Sequence, residues 1–594
     1  MNKEKKRTGL AVLMSAMLVL LSACGDGGTN NPTGNGSTTP PQTSADTGKT
    51  DASNLPEITL TVFDNLANYA GIQSGWFGKL VNDKFHIKLN IIAPNLAGGG
   101  QKVATQMASG DLGDLVIGLG GKDYTDAIKA GLLLDWNKNG LLDKYGQDIK
   151  KYAPVALKAN SAMFGGGTAI YGVGGNVGSG TGPSEGSDMG FGPNLRWDLY
   201  QQLDSPKIKN LDDLLNVLKQ MQQLAPKSDS GKPTYGFSLW SDWDSDFSMN
   251  AKVTAQLFGY AEGDNYNNNS LILTKADSNS WHGMLDDNSY YMQGLDFFYK
   301  ANKMGLLDPD SLTQKFSNVS DKYKDGQILA AQFPWVTNVY NTPEHLKEGK
   351  GFKYVPIDTQ KVWSGGYNPY GSNGIWAIGA KTKYPERVMQ FVNWLYTPEG
   401  IAESNYGPKG LLWDLNSKGK PELTDLGYKA LPANNVPIPD QYGGGNFKDG
   451  TNQLNNATLA LTMINPETGE PYDYTLWTSY LEYNPDPVTK SWRDAMGVLT
   501  QKQYVVKHNL ISVRPAFFNG KPPAEEPADI KMKRGEVGKV IKQYSWQMMF
   551  AKSDDQFNKL KQDMITKAKG LGYDDVIKWQ ADQYENTVAT MYKK

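Results

Sequence analysis

Polar and apolar positions near the start of the body of the chain follow two alternating periods. Glu57–Asp64 alternates polar with apolar and then runs apolar, which predicts a strand. Lys88-Leu89-Asn90-Ile91-Ile92-Ala93 predicts a second strand. Between them, Gly75 to Asn82 sets Trp76, Phe77, Leu80 and Val81 at helical spacing. Gln101 to Ser109 is a second short helix, with Val103, Ala104 and Met107 on one side. Ser109-Gly110-Asp111-Leu112-Gly113-Asp114 is a turn feeding a buried strand, Leu115 to Gly118. Strand, helix, strand, helix, strand at this spacing predicts an α/β unit with a mainly parallel sheet.

Further on, Asn210 predicts an N-cap for a helix with Leu211, Leu214, Leu215 and Leu218 on one face. Asp212 and Asp213 suit the positive end of its dipole. A helix from Tyr291 to Met304 turns Leu295, Phe298 and Tyr299 inward, and Ile328 to Trp335 reads as a strand running into a loop. Trp363 to Tyr367 and Gly371 to Ile378 form a loop and a strand. In Tyr384 to Gly400, Val388, Phe391, Val392 and Leu395 make one helical stripe. Thr397 then caps a second helix that begins at Pro398.

The amino terminus has a different pattern. Lys3, Lys5, Lys6 and Arg7 precede an apolar run from Leu10 to Leu21. That run falls short of the ~20 residues a spanning helix needs, so it predicts a secretory signal. It ends in Leu21-Ser22-Ala23-Cys24, which resembles the lipobox of bacterial lipoproteins and contains the only cysteine. The resemblance implies cleavage before Cys24 and acylation of its thiol and new amino group. Residues 25 to 55 are Gly, Ser, Thr, Asn and Pro with almost no apolar side chain, a flexible linker with a reach of roughly 30 Å.

A net charge of -2 supplies no basic field for nucleic acid. A single cysteine excludes an internal disulfide. The glycine-rich run 164–193 contains no G-x-x-x-x-G-K-[ST], and no G-x-G-x-x-G opens a helix, so it is read as a mobile loop or crossover. No H-E-x-x-H or G-x-S-x-G is present, and His86, His282, His345 and His508 have no ligand spacing. Asp229 is the only acid in Lys227–Gly236, too few carboxylates for a hard cation. Asp242, Asp244 and Asp246 are read as a solvated loop, and no metal or cofactor is expected. Much of the content of 15 Trp and 31 Tyr belongs to the core, and so many also fit a surface that stacks on sugar rings or packs on peptides.

Several of these stretches together resemble family 1 extracellular solute-binding proteins, the capture subunits of ABC importers. Ser109-Gly110-Asp111-x-x-Asp114-Leu115-Val116 matches their first-lobe turn, with Gly113 where proline is common. Arg196-Trp197-Asp198-Leu199 followed by a helix matches the opening of their second lobe. Pro385-Glu386 to Phe391, Trp394-Leu395 and Thr397-Pro398-Glu399-Gly400, then Asn405-Tyr406-Gly407, match their helical-hairpin signature.

The resemblance implies an α/β, two-lobed, periplasmic-binding-protein-like fold of type II, with mixed sheets flanked by helices and a ligand cleft between lobes. Residues 56–165 with about 360–430 would form lobe one, and about 166–359 with 431–594 lobe two. It implies a monomer that captures an oligosaccharide and passes it to membrane permease subunits on other chains. On that reading Trp76, Trp197, Trp240, Trp243, Trp335, Trp363, Tyr367 and Trp376 are stacking candidates, and Asp64, Arg196 and Asn373 polar partners. For each of these aromatics, core packing is the competing explanation. Rival functions are a peptide receptor, a glycoside hydrolase with two carboxylates about the bond, and a surface adhesin.

Overall fold

The computed structural model describes residues 55–262, 270–372, 374–433, 435–517 and 524–592. The signal sequence, Cys24, the linker and Asn373 lie outside the described residues. The strands that position the site are, in chain order, β1 (Ile58–Asp64), β2 (Gly71–Ile72), β3 (Ile87–Ile92), β4 (Leu115–Leu119), β5 (Val173–Gly174), β6 (Asn194–Arg196), β7 (Ala330–Ala331), β8 (Phe352–Tyr354), β9 (Val362–Ser364), β10 (Ile375–Ile378) and β11 (Ile511–Val513).

The first sheet has the order β2-β3-β1-β4-β10-β5. β1 runs parallel to β3 and β4, while β10 is antiparallel to both β4 and β5. Both faces are covered, and the two-residue period decides which face each side chain enters. Leu60, Val62, Leu115, Ile117, Trp376 and Ile378 enter a core built with the helices Gly75–Phe85 and Pro385–Trp394. Phe63, Val116, Leu119, Ile375 and Ala377 enter the opposite core with Tyr124 and Ala127.

Asp114, of the turn that resembles the family pattern, ties three segments together. Its Oδ2 accepts the Thr61 amide at 2.8 Å and its Oδ1 accepts the Thr382 hydroxyl at 2.6 Å. Gly113 has φ +85°, and a Cβ there would lie 2.9 Å from the Thr61 carbonyl oxygen. This position therefore calls for glycine.

The hairpin reading agrees with the structure. Thr397 Oγ1 accepts the Gly400 amide at 2.8 Å, Pro398 opens the helix Pro398–Tyr406, and Val388, Phe391, Val392 and Leu395 are buried.

The second lobe is built on the antiparallel sheet β7-β6-β8 and the largest core. Its helix Leu211–Leu224 starts as expected, with the Asn210 side chain accepting the Asp213 amide. The strand expected at Ile328–Trp335 is only Ala330–Ala331, because Pro334 starts a 3-10 turn, Pro334–Val339, that lifts Trp335 out of the ladder. The helices Ala528–Met549, Asp554–Gly570 and Tyr573–Asn586 complete this core, and the Tyr291 and Ser545 hydroxyls bond at 2.7 Å inside it.

Residues of the two cores alternate along the chain, with the changes falling within 177–189, 362–376 and 472–488. Ile438, Phe447, Leu454, Leu459 and Tyr472 are buried in the first lobe's core, whereas Val488 and Trp492 are buried in the second's.

Candidate functional site

A cavity of about 310 Å3 lies beside β8, where the second lobe faces residues 475–481. Lys353 and Tyr354 form one wall, and the turn Pro334–Val339 supplies Pro334, Thr337 and Asn338. Thr489, Trp492 and Arg493 come from the helix Pro487–Met496, and Ser187 and Asp188 from the first crossing. Across from them stand Thr475, Tyr480 and Leu481. That segment is fixed to the first lobe by Trp477, whose ring packs edge-on to Tyr406 at 5.7 Å.

The charged groups in this wall are only partly satisfied. The Lys353 ammonium makes no hydrogen bond or ion pair among the described residues, and enclosure by protein pushes its pKa down. Asp486 and Asp188 act against that shift at longer range, and the Arg493 guanidinium adds to it. Asp188 presents its surface to the cavity but is walled in by protein, which raises its carboxyl pKa, with Lys353 opposing. Arg493 donates through Nε to the Leu499 carbonyl at 3.0 Å and through Nη1 to the Leu481 carbonyl.

Next to the cavity is an open aromatic surface. Trp243 and Trp335 are 45% and 44% exposed, and their rings stack at 5.7 Å and 22°. Phe316 lies 4.4 Å from Trp243, and the buried Trp240 supports Trp243 edge-on at 5.6 Å. Aromatic rings held this way expose flat apolar faces at little entropic cost. The turn that carries Trp335 also carries Thr337 and Asn338 into the cavity wall. On the opposite side Tyr480 stacks on Tyr428, and Tyr428 on the exposed Tyr483 at 3.8 Å.

Of the residues singled out from sequence, the structure therefore gathers Trp240, Trp243 and Trp335, with the first of these in a supporting position. Others stand elsewhere. Trp76 is 1% exposed, stacks on Phe447 and donates Nε1 to the Phe447 carbonyl, so it packs the first core. Trp376 and Trp197 are equally buried, and Trp197 Nε1 reaches the Ser491 hydroxyl at 3.1 Å. Arg196 grips Asp198 with Nε and Nη2 at 2.9 and 2.7 Å and lies over the Tyr340 ring, a structural pair within the second lobe. Trp363 is half-buried in β9. Tyr367 donates to the Thr462 hydroxyl at 2.9 Å, which ties the 355–374 segment to the tail.

Asp64 ends β1 at the carboxyl edge of the parallel strands, where open α/β sheets bind ligands. It is wholly buried; Oδ1 accepts the Leu66 amide at 2.8 Å, and Oδ2 has no partner among the described residues. Burial pushes its pKa up to about 7, against the pull of the Leu66 and Ala67 amides.

The two acidic loops are tied to distant segments, and the 242–246 loop, read from sequence as solvated, is fastened to the helix Ala528–Met549. The Asp325 carboxylate accepts the Ser228 and Ser230 hydroxyls, each at 2.8 Å, and the Ser230 amide. Asp244 accepts Trp546 Nε1 and Asp246 pairs with Arg534. Among the described residues no group of three or more His, Cys, Asp or Glu is placed to hold a metal ion, and no helix is long and apolar enough to cross a membrane.

A family model described as bacterial extracellular solute-binding protein matches residues 77–411. No curated protein sequence matches the chain. Solved structures with the same fold include an extracellular solute-binding protein from Bifidobacterium longum subsp. infantis, with TM-score 0.53, 15% identity, and 89% of this chain and 98% of that one covered. The Streptococcus pneumoniae ABC-transporter substrate-binding protein FusA in complex with kestose has TM-score 0.52 at 15% identity over 89% of this chain and 99% of that one. The alginate-binding protein AlgQ2 has TM-score 0.50 at 18% identity over 90% and 99%. With more than half of its length matched by the family model, and a two-lobed α/β fold in common with these structures, the chain belongs to the bacterial extracellular solute-binding protein family.

Proposed function

We propose that the protein is the substrate-binding component of an ABC importer and that it takes an oligosaccharide between its lobes. The observation that carries this reading is the cavity beside β8, bounded by both lobes and flanked by the exposed Trp243–Trp335 pair. A sugar held there would touch groups of both lobes, so binding stabilises the arrangement in which they meet. Kestose and alginate, named for two structural neighbours, are consistent with a carbohydrate of several units.

The finer parts of the reading rest on the sequence. Cleavage before Cys24 and acylation of its thiol would tether the protein to the outer face of the membrane, with the linker to residue 55 as a leash. Permease subunits would be separate chains, and the protein a monomer. The lobes would divide in the crossing segments, with residues to about 477 of the tail on the first lobe, where Ile438 to Tyr472 are buried.

The test is a thermal-shift screen of the full-length protein in detergent against oligosaccharides, with peptides as controls and product analysis for cleavage. A ligand at 100 times its Kd adds about 2.7 kcal/mol of stability. A sugar that raises Tm and is recovered intact supports the reading. A shift by peptides alone, or a sugar consumed, refutes it.

A further inference from the structure

We propose that the ligand carries a carboxylate, and that a uronate unit of the oligosaccharide is held at Lys353 and Arg493 in the cavity beside β8. This rests on the reading of the cavity as the sugar site and narrows it to acidic sugars.

The wall of the cavity holds two cations and one acid, Lys353, Arg493 and Asp188. An ammonium enclosed by protein is unfavourable unless something pairs with it. Among the described residues no ion pair or hydrogen bond reaches the Lys353 ammonium, although Asp188 and Asp486 are near enough to act on it electrostatically. Asp486 is committed elsewhere: it caps the helix Pro487–Met496 by accepting the Thr489 amide at 2.8 Å and the Thr489 hydroxyl at 2.6 Å. Asp188 lies beyond ion-pair distance and bonds only weakly, to the Ser187 hydroxyl at 3.4 Å.

Arg493 is held by the Leu499 and Leu481 carbonyls, which leaves Nη2 without a protein partner among the described residues. The guanidinium also disfavours the Lys353 charge. Two like charges in one wall, each with donors to spare, suit an anion placed between them. A carboxylate satisfies both, because its two oxygens accept several charge-assisted hydrogen bonds. Asp188 and Asn338 remain for hydroxyl groups, and Tyr480 offers ring surface on the opposite side of the cavity. Lys353 is half-buried, and a neutral sugar would displace water from its ammonium without supplying a counter-charge. A peptide carboxylate has the same charge, so the choice of a sugar rests on the proposed function.

The experiment compares matched ligands on the full-length protein in detergent by isothermal titration calorimetry. Oligogalacturonides, mannuronate and guluronate oligomers and glucuronate-bearing xylan fragments are each tested beside their carboxyl-reduced forms, which differ only in the acidic group. At least one acidic series is expected to bind roughly 10- to 100-fold more tightly than its reduced form, the effect of charged hydrogen bonds. In Lys353→Met and Arg493→Gln that preference is expected to shrink by a similar factor, with Tm measured to confirm folding.

Neutral or reduced sugars binding as tightly as acidic ones would overturn the inference and leave the oligosaccharide reading standing. If acidic sugars win but a folded Lys353→Met variant keeps the full preference, the assignment to Lys353 is wrong. If no sugar of either kind binds, the oligosaccharide reading fails and this inference with it.

Discussion

The clearest single-residue test concerns Asp64, whose carboxyl group is wholly enclosed at the end of β1. Its pKa rises from an ordinary 3.8 to about 7 because burial disfavours the charge. The folded protein therefore holds this proton more tightly than the unfolded chain. Stability linked to Asp64 is fully present below the unfolded pKa and is lost as pH rises through about 7. The full loss is on the order of 4 kcal/mol, and about 3 kcal/mol of it falls between pH 5 and pH 8.

Asp64→Asn removes the titration. The amide can still accept from the Leu66 amide, but its NH2 takes the unpartnered Oδ2 position, at a cost of about 1–3 kcal/mol. That cost is the same at both pH values, so it cancels when the variant's stability difference from wild type at pH 5 is subtracted from that at pH 8. The variant should gain about 3 kcal/mol on wild type over this interval. With an unfolding entropy of about 2.1 cal/mol/K per residue, that is a relative Tm gain of roughly 3 °C for a body this size. Scanning calorimetry of both proteins at pH 5, 6, 7 and 8 reads it directly. Tm curves that stay parallel across this range would refute the claim that Asp64 is protonated in the folded state.

Three further predictions separate site from scaffold. Trp335→Ala should weaken oligosaccharide binding by roughly 3- to 10-fold while leaving Tm nearly unchanged, because the ring is half exposed; Trp76→Ala should lower stability by about 3–5 kcal/mol, and calorimetry and titration on the two variants check the contrast. Chelator should leave Tm unchanged, because Asp325 closes the 228–230 loop through serine hydroxyls, whereas Asp325→Ala should lower stability by about 1–2 kcal/mol in a denaturant melt. Preference for an acidic over a reduced sugar should fade as pH rises, starting below the range near 10.4 of an ordinary lysine, because enclosure and Arg493 lower the Lys353 pKa; calorimetric titrations across pH 7 to 10 follow it.

The scaffold was legible where a periodic pattern and a local signal agreed. The Thr397 cap, the Val388–Leu395 stripe and the alternation in β1 are properties of neighbouring residues, and each agrees with the structure. The aromatic candidates were harder to place because tryptophan serves cores and sugar faces equally well. Trp76 and Trp335 each sit among polar and apolar neighbours in sequence, yet one meets Phe447 and the other solvent, through contacts set by distant segments. Lys353, Arg493 and Asp188 were missed for the same reason. A lone charge in a chain with 60 basic residues has no local signature, and only folding shows which lysine lacks a partner. Tyr480 had a weak signal in the aromatic-rich run from Tyr472 to Tyr483.

One glycine of the run 164–193, which matched no phosphate-binding pattern, has a mechanical explanation. The first crossing must pass alongside the second on its way between lobes. A Cβ on Gly174 would lie 2.6 Å from the Ser372 carbonyl oxygen and 2.9 Å from the Gly371 Cα. At this point the two segments touch backbone to backbone, and a side chain would hold them apart. Beyond it they are laced together: the Gly178 amide donates to the Asn368 carbonyl at 2.8 Å, and the Ser364 hydroxyl to Glu185 at 2.7 Å. Thr462 joins the first crossing to the tail by donating to the Ser184 carbonyl. Such a seam resists shear between its segments but allows torsion along it, so relative motion of the lobes is expected to be rotation about this line. Asp188 lies just past the seam and lines the cavity. On that expectation a rotation there would move residues 475–481 relative to Lys353, and the same few crossing residues would serve as the hinge and as part of the wall that a ligand holds shut.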